Sequence, residues 1–249
     1  MERKHFFKNG LAALGLMALA PLANSCKKDS EELSGTTTGT GTGTSTGTGT
    51  GTTTGSCTVS PTETEGPFPT KTPSSLVTGD IRSDRTGVPF TIKITINNQS
   101  NSCAALSGAI VDIWHCDKDG NYSEYGGTGM QSTNYTSVHF LRGRQTTDSS
   151  GLVQFTSIFP GWYSGRAPHI HVHVYNASGK SLLVTQIAFP TDVCNTVYTT
   201  ATNYYTKGKQ DTSNASDNVF SDSLATELAT VTGSVSAGYT LTHVVTVAA

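Results

Sequence analysis

The sequence has little charge and few long apolar runs. Charged residues make up 14% of the 249 positions, and the formal net charge is -2 at pH 7. Neither sign of charge forms a run after residue 56, so a nucleic-acid-binding surface is not expected. No apolar stretch in residues 57–249 approaches the ~20 residues that a membrane-spanning helix needs. Few segments show a helical repeat of apolar residues, which leaves β-structure as the main candidate.

The first 25 residues have the pattern of an export signal peptide. Basic residues open the chain, an apolar run follows over Leu11–Ala20, and small residues precede Cys26. This ending resembles the lipobox of bacterial lipoproteins, which implies a lipid on Cys26 and a lipidated segment over residues 26–33. The expected location is exported and membrane-anchored, facing the periplasm or the cell exterior. Plain secretion is the alternative, and both the Sec and the twin-arginine routes stay open.

A second N-terminal segment, residues 34–56, contains only 8 Gly, 12 Thr and 3 Ser. None of these side chains is large enough to build a core, so the segment is predicted to be a flexible linker. The remaining 193 residues, 57–249, are enough for one domain. Contact with a membrane is then expected only through the lipid anchor.

Within this domain, apolar residues recur with a period near two. Such alternation is typical of half-buried strands separated by Asn, Gly, Ser and Asp turns. The predicted fold class is all-β, an antiparallel β-sandwich or barrel-like core with few short helices. The predicted strands cover residues 90–96, 109–114, 152–155, 169–175, 182–189 and 239–247, and the short helices cover residues 192–200 and 221–230.

Cysteine usage fits an exported domain. Apart from Cys26, the chain has four cysteines, an even number that predicts two disulfides with three possible connectivities. The preferred pairing joins Cys103 to Cys116, which bracket one loop and strand. It also joins Cys57 to Cys194, which ties down the start of the domain.

Two histidines in a predicted strand are the first sign of chemistry. Arg166 precedes the sequence His169-Ile170-His171, and alternate residues of a strand share a face about 6.6 Å apart. Two imidazoles at this spacing can converge on one metal ion. His173 lies on the same face but farther along, outside the expected ligand set. The alternative is a polar strip that faces solvent.

Two tyrosines follow tight turns elsewhere in the domain. Tyr163 follows Pro160-Gly161-Trp162, and Tyr122 ends the segment Trp114–Tyr122, which contains an Asp and Gly turn. Each turn alone is also compatible with a tyrosine that only packs. Together with the histidines, however, the turns resemble the W-x-x-D-x-x-G-x-Y, P-G-x-Y and R-x-x-H-x-H segments of the intradiol ring-cleavage dioxygenases. The resemblance runs from about Thr64 to Phe220.

Two further segments carry the same resemblance. Residues 64–68, Thr-Glu-Gly-Pro-Phe, match the family's T-x-G-P-aromatic segment, and residues 185–189 match its T-Q-x-x-F strand. The closest similarity is to a protocatechuate 3,4-dioxygenase-like core in the exported subgroup. Members of the family assemble in several ways, so a homo-oligomer is possible on this basis.

The resemblance implies a site and a reaction. It implies that Fe(III) is the cofactor, and that a catechol-type substrate reacts with O2 between its two hydroxylated carbons to give a muconate-type dicarboxylic acid. In the family's scheme, Tyr163 leaves the iron when substrate binds, Arg166 stabilises negative charge on the ring, and Gln186 orients the substrate. His115 and Cys116 lie within the segment Trp114–Tyr122 and are interpreted as structural, with Cys116 in a disulfide. The implied iron ligands are Tyr122, Tyr163, His169 and His171.

One alternative function belongs to a different class. A non-catalytic, prealbumin-like β-sandwich on the cell surface, anchored by lipid and binding a glycan or another ligand, would contain a similar P-G-x-Y turn. A cupin also uses H-x-H, but it expects a glutamate a few residues later, where Tyr175 and Asn176 stand. Bound iron and the colour of the purified protein distinguish these alternatives.

Overall fold

Residues 57–249 are the part of the chain that the structure, a computed structural model, describes. The predicted signal peptide over residues 1–25, the lipidated Cys26 with residues 26–33, and the linker over residues 34–56 lie outside it. No helix among the described residues is long and apolar enough to cross a membrane.

The described residues form nine strands and two short α-helices, with three 3₁₀ turns at Pro73–Ser75, Gln99–Asn101 and Asn214–Ser216. Each predicted strand and helix overlaps an observed one. In chain order the elements are β1 (Pro89–Asn98), β2 (Ala104–Ala105), β3 (Ile110–Trp114), β4 (Arg142–Thr146), β5 (Leu152–Ile158), β6 (His169–Tyr175), β7 (Ser181–Ala188), α1 (Thr191–Thr200), α2 (Leu224–Glu227), β8 (Thr230–Ser234) and β9 (Gly238–Val247).

The strands belong to two sheets, which confirms the predicted all-β sandwich. Sheet I has the order β2-β1-β9-β8, with β5 also pairing along β1, and sheet II has the order β4-β3-β6-β7. The sheets do not close into a barrel in the described region. All pairs in sheet II are antiparallel, whereas β1 and β9 run parallel from Phe90–Tyr239 to Asn98–Val247, so sheet I is mixed.

The alternation within the strands builds the core. In β1, Phe90, Ile92, Ile94 and Ile96 are buried, and the residues between them are partly exposed. In β6, Ile170 and Val172 belong to the same hydrophobic core. The histidines of β6 therefore point to the other face of sheet II.

The register of sheet II sets three side chains in one row. His171 in β6 is paired with Trp114 in β3 on one side and with Gln186 in β7 on the other. Cross-strand partners on one face are direct neighbours. Residues far apart in the sequence are thereby brought beside the histidine.

The predicted disulfide pairing is wrong. Cys57 is bonded to Cys103, and Cys116 and Cys194 are buried free thiols. Cys103 lies in the loop between β1 and β2 of sheet I, whereas Cys116 lies just beyond β3 of sheet II. A disulfide needs Cα atoms within about 7 Å, a condition that proximity in the sequence does not ensure.

Candidate functional site

Four side chains converge on the outer face of sheet II. The Nε2 atom of His169 lies 3.1 Å from Nε2 of His171, 3.3 Å from Oη of Tyr122 and 3.4 Å from Oη of Tyr163. Tyr122, His169 and His171 are at most 2% exposed, and Tyr163 is partly buried. The structure thus brings together all four residues named as ligands from the sequence.

The hydrogen bonds of His169 show which of its nitrogens is available. Its Nδ1 atom lies 2.6 Å from the carbonyl oxygen of Ala167, which can only accept, so Nδ1 carries the proton. Nε2 then presents its lone pair to the three neighbouring donor atoms. One lone pair can accept only one hydrogen bond well, so it cannot serve all three neighbouring atoms. A cation bound between the four atoms would be coordinated by all of them. For metal bonds of about 2.1 Å, ligands at right angles are about 3 Å apart, close to the separations seen here.

The protonation states of the histidines suit a metal ligand. Burial, with a smaller contribution from Arg166, lowers the pKa of His169 to about 3. Burial and the neighbouring His169 hold the pKa of His171 well below its usual value. Both rings are therefore neutral at ordinary pH, as ligation of a metal requires.

The two phenols are in the opposite situation. Burial raises the pKa of Tyr122 well above its usual value, with Tyr163 as the next cause. Burial also raises the pKa of Tyr163 to about 12, against a lowering effect of Arg166. Ionising two buried phenols side by side requires a cation between them. Two imidazoles with two hard phenolate oxygens form a donor set that suits Fe(III).

Within residues 57–249, other metal-binding residue types do not offer a second site. In the described region, no group of three or more His, Cys, Asp and Glu side chains has an arrangement that could hold a metal ion. His173 lies on the same face as the two site histidines but contacts the Ser181 hydroxyl at 2.8 Å and stacks on Tyr175. It is not one of the four converging side chains.

Two glycines allow the tyrosine-bearing loops to touch. A Cβ on Gly120, where φ is +89°, would collide with the carbonyl of Trp162. A Cβ on Gly161 would collide with the carbonyl of Lys118 and lie 2.6 Å from that of Asp117. The Gly161 N–H also donates to the Asp117 carbonyl at 3.0 Å. The glycines of both motifs therefore serve the close approach that brings the two phenols together.

Two polar side chains fix the Tyr122 loop. The Asp117 carboxylate accepts the N–H groups of Asp119 and Asn121 at 3.0 and 2.9 Å. The Gln131 amide accepts the Tyr122 N–H at 2.7 Å and donates to the Tyr122 carbonyl at 2.8 Å. Gln131 was not predicted from the sequence, because a lone glutamine in a loop carries no recognisable signal.

Residues 64–68, here called the strap, cover the site. Phe68 stacks on Tyr122, with ring centroids 4.8 Å apart. Trp114 of the neighbouring strand β3 stacks on His171, with ring centroids 4.9 Å apart. Gly66 has φ of +68°, and a Cβ there would lie 3.0 Å from Cε1 of His171. The strap motif thus needs glycine for close approach and an aromatic residue for packing.

The arginine and the glutamine named from the sequence are hydrogen-bonded to each other. Arg166 donates from Nη2 to Oε1 of Gln186 at 2.7 Å and from Nε to the Asp217 carboxylate at 2.9 and 3.1 Å. Gln186 donates in turn to the Thr64 carbonyl at 2.9 Å, which links the pair to the strap. Asp217 was not predicted, since it lies about fifty residues beyond Arg166 in a segment with no motif.

Both ring nitrogens of His115 have hydrogen-bond partners outside the four converging side chains. Its ring nitrogens lie 2.8 Å from the Cys116 carbonyl and 2.8 Å from the Ser157 hydroxyl. Burial lowers its pKa to about 4 and raises the pKa of the Cys116 thiol. The Cys116 thiol is unpaired, in contrast to the expected disulfide.

The chain is similar in sequence to known dioxygenases. The family model Dioxygenase_C, described as "Dioxygenase", matches residues 65–221. The chlorocatechol 1,2-dioxygenase of Rhodococcus opacus is 30% identical over an alignment of 152 residues, and the match covers 51% of this chain and 55% of that protein. Catechol 1,2-dioxygenase 1 of Acinetobacter lwoffii is 27% identical over an alignment of 121 residues, and the match covers 41% of this chain and 37% of that protein. The chain thus spans about half the length of these curated relatives, or less.

Solved structures cover more of the chain. An intradiol ring-cleavage dioxygenase from Tetranychus urticae superposes with a TM-score of 0.66 and 26% identity, over 77% of this chain and 94% of that one. The dioxygenase domain of a carbohydrate-binding fusion protein from Streptomyces sp. SirexAA-E gives 0.55 and 26%, over 76% and 97%. The family match extends over more than half of the chain and includes most of the strap, both tyrosine turns and both histidines. The chain therefore belongs to the intradiol ring-cleavage dioxygenase family.

Proposed function

We propose that this protein is a non-haem Fe(III) dioxygenase that cleaves a catechol-type ring between its two hydroxylated carbons. O2 is the second substrate, and a muconate-type dicarboxylic acid is the product. The observation that carries the proposal is the convergence of four side chains, in which the imidazole of His171 and two phenols lie within 3.1–3.4 Å of Nε2 of His169. The names of the curated relatives support a catechol-type substrate.

Tyr122, Tyr163, His169 and His171 would hold the ion. When bound, Fe(III) would supply a Lewis acid that withdraws electron density from a chelated catecholate. Tyr163 is the least buried of these four residues. Burial raises its pKa to about 12, so a Tyr163 phenolate without a cation beside it would be a strong base, and Oη would accept a proton from a substrate hydroxyl.

The neighbouring residues act on charge and water. The guanidinium of Arg166 stabilises the negative charge that develops on the substrate ring, a kind of contribution that amounts to about 3 kcal/mol in comparable sites. Gln186 holds the guanidinium from one side. The rings of Phe68 and Trp114 pack on ligands and keep water from the buried donor atoms.

The alternative of a non-catalytic surface sandwich is not favoured. It leaves the histidines without a task, and such histidines are expected to face solvent. His169 and His171 are instead 2% and 1% exposed and point at two phenols. Burying four polar side chains against one another costs free energy. A protein that binds no metal at these residues would have no reason to bury them.

The test is iron content, colour and oxygen uptake. We expect the protein loaded with Fe(III) to bind one ion per chain, to be burgundy through phenolate-to-iron charge transfer, and to consume O2 with at least one member of a catechol panel. Tyr163→Phe and His171→Ala should each impair cleavage, and His171→Ala should also lose iron. His173→Ala, on the same face of the same strand, is the matched control and should retain iron. A colourless protein that stays inert after Fe(III) reconstitution would refute the proposal.

We propose in addition that the protein is exported and anchored by a lipid on Cys26. The N-terminal pattern supports this location, and the Cys57–Cys103 disulfide is of the kind that persists in oxidising compartments. Metabolic labelling with a radioactive fatty acid should mark the wild type and not Cys26→Ser. Equal labelling of both, or of neither, would contradict the anchor. Assembly into a homo-oligomer stays a prediction for sedimentation analysis.

A further inference from the structure

Asp217 is a fully buried carboxylate at the back of the site. Its side chain is 0% exposed, and its oxygens accept from Nε of Arg166, from the Ala167 N–H at 2.7 Å and from the Val219 N–H at 2.9 Å. We propose that Asp217 is a positioning residue that sets both the guanidinium of Arg166 and the imidazole of His169. This inference rests on the proposed dioxygenase function.

The first part of the role concerns the plane of the guanidinium. Nε of Arg166 is held by both oxygens of Asp217, and Nη2 is held by Gln186. Two nitrogens fixed by two different residues leave a planar fork no freedom to rotate. A donor that is already oriented need not reorganise when charge develops on the substrate, and this is the condition under which it accelerates a reaction.

The second part concerns the peptide of Ala167. Its N–H donates to Asp217, and its carbonyl accepts from Nδ1 of His169 at 2.6 Å. One peptide group therefore connects the carboxylate to the imidazole. Fixing this peptide fixes the tautomer of His169 that leaves Nε2 free for a metal. Residues that orient a ligand in this way commonly change metal affinity or activity by about 10- to 100-fold when replaced.

The charge of Asp217 also matters. Arg166 is mostly buried, with 12% of its side chain exposed, and the carboxylate at 2.9 Å compensates its charge. Asparagine can accept hydrogen bonds through only one oxygen, and its NH₂ group would meet a donor. Asp217→Asn therefore leaves the guanidinium without compensation and at least one of the three donors without an acceptor.

The main experiment is a comparison of Asp217→Asn with Asp211→Asn. Asp211 accepts the Gly165 N–H at 3.2 Å from the same loop, but it is exposed and does not touch Arg166. We expect D217N to lower kcat per bound iron by about 10- to 100-fold and iron affinity by about 10-fold. KM should change by no more than about 3-fold, a split expected of a residue that acts in the transition state. D211N should match the wild type.

A double-mutant cycle separates positioning from general support. If Asp217 acts through Arg166, then Arg166→Gln should cost much less in kcat in the D217N background than in the wild type. Additive losses would overturn this part of the proposal. Unchanged kcat per iron and unchanged iron affinity in D217N, with only a lower melting temperature, would overturn the whole.

Asp217→Glu and the iron affinities of the variants test the role of Asp217 where the main comparison fails. If D217N does not fold, Asp217→Glu retains the charge, and its displaced carboxylate should still lower kcat per iron by about 10-fold or more. Wild-type activity in D217E would count against positioning. If the wild type binds iron but cleaves no catechol, the proposed function fails, whereas the iron affinities of D217N and D211N still decide whether Asp217 sets His169.

Discussion

Gly161→Ala should separate the two tyrosine-bearing loops. The added methyl group would collide with the Lys118 carbonyl and lie 2.6 Å from the Asp117 carbonyl. Both obstacles are backbone atoms, so no side chain can rotate away. The Pro160–Tyr163 turn has to move from the loop that carries Tyr122. The substitution introduces no backbone strain of its own, because φ at this glycine is not in the left-handed region.

The loss in the free energy of unfolding caused by Gly161→Ala has two contributions. Overpacking by one methyl in a tight site costs about 1–3 kcal/mol, depending on how far the surroundings can move. Loss of the 3.0 Å hydrogen bond from the Gly161 N–H to the Asp117 carbonyl adds about 1 kcal/mol. The expected loss in the free energy of unfolding is thus about 2–4 kcal/mol, which a domain stabilised by about 5–15 kcal/mol survives.

Urea unfolding and iron titration measure the two consequences. Gly161→Ala should shift the unfolding midpoint downward with an unchanged m-value and should weaken iron binding, because Tyr163 is displaced from Tyr122. Gly129→Ala is the control, since a Cβ there meets nothing within 4 Å, and its stability should stay within about 0.5 kcal/mol of the wild type. Equal stability and equal iron affinity of the two variants would refute the loop-contact argument.

Three further outcomes are expected. In the Cys26→Ser chain, Ellman's reagent should find two thiols after unfolding without reductant, from Cys116 and Cys194, and finding none would support the pairing predicted from the sequence. Burial raises the pKa of Glu227 from 4.5 to about 7, so its folded form binds the proton more tightly. This contribution to stability is present below pH 4.5 and is lost as pH rises through about 7. The melting temperature of Glu227→Gln should therefore be higher than that of the wild type at pH 8 and equal to it at pH 4. Phe68→Ala empties a buried site stacked on a proposed ligand and should cost about 3–5 kcal/mol in urea unfolding and weaken iron binding, whereas a cost under about 1 kcal/mol would contradict the packing.

Strands with regular alternation were predictable from the sequence, and polar strands were not. The bounds of β6, His169–Tyr175, match the prediction, because β-branched core residues alternate there with histidines. β4 has the sequence RGRQT and β8 has TVTGS, so neither shows an apolar face. They are strands because β3 and β9 offer partners for their backbones. The parallel pairing of β1 with β9 likewise depends on the complete fold.

The residues of the candidate site also fall into a group that was predictable from the sequence and a group that was not. Its four converging side chains belong to short motifs, in which a few neighbouring residues specify a turn or a strand face. Asp217 reaches the site through tertiary contacts, and Gln131 binds Tyr122 from within the same loop, but no motif near either residue indicates its partners. The disulfide pairing was predicted wrongly for the same reason, because spacing along the chain does not give distance in space.

The two faces of β6 have separate tasks. Ile170 and Val172 complete the core between the sheets, while His169 and His171 on the opposite face meet the loops that carry the tyrosines. The loops are held to each other by backbone contacts at glycines rather than by the sheet. The core face of β6 therefore contributes to the stability of the sandwich, whereas the loop contacts at the glycines contribute both to stability and to the assembly of the site. A change at a loop contact can abolish iron binding in a folded protein, whereas a core change that lowers stability can leave the donor atoms in place.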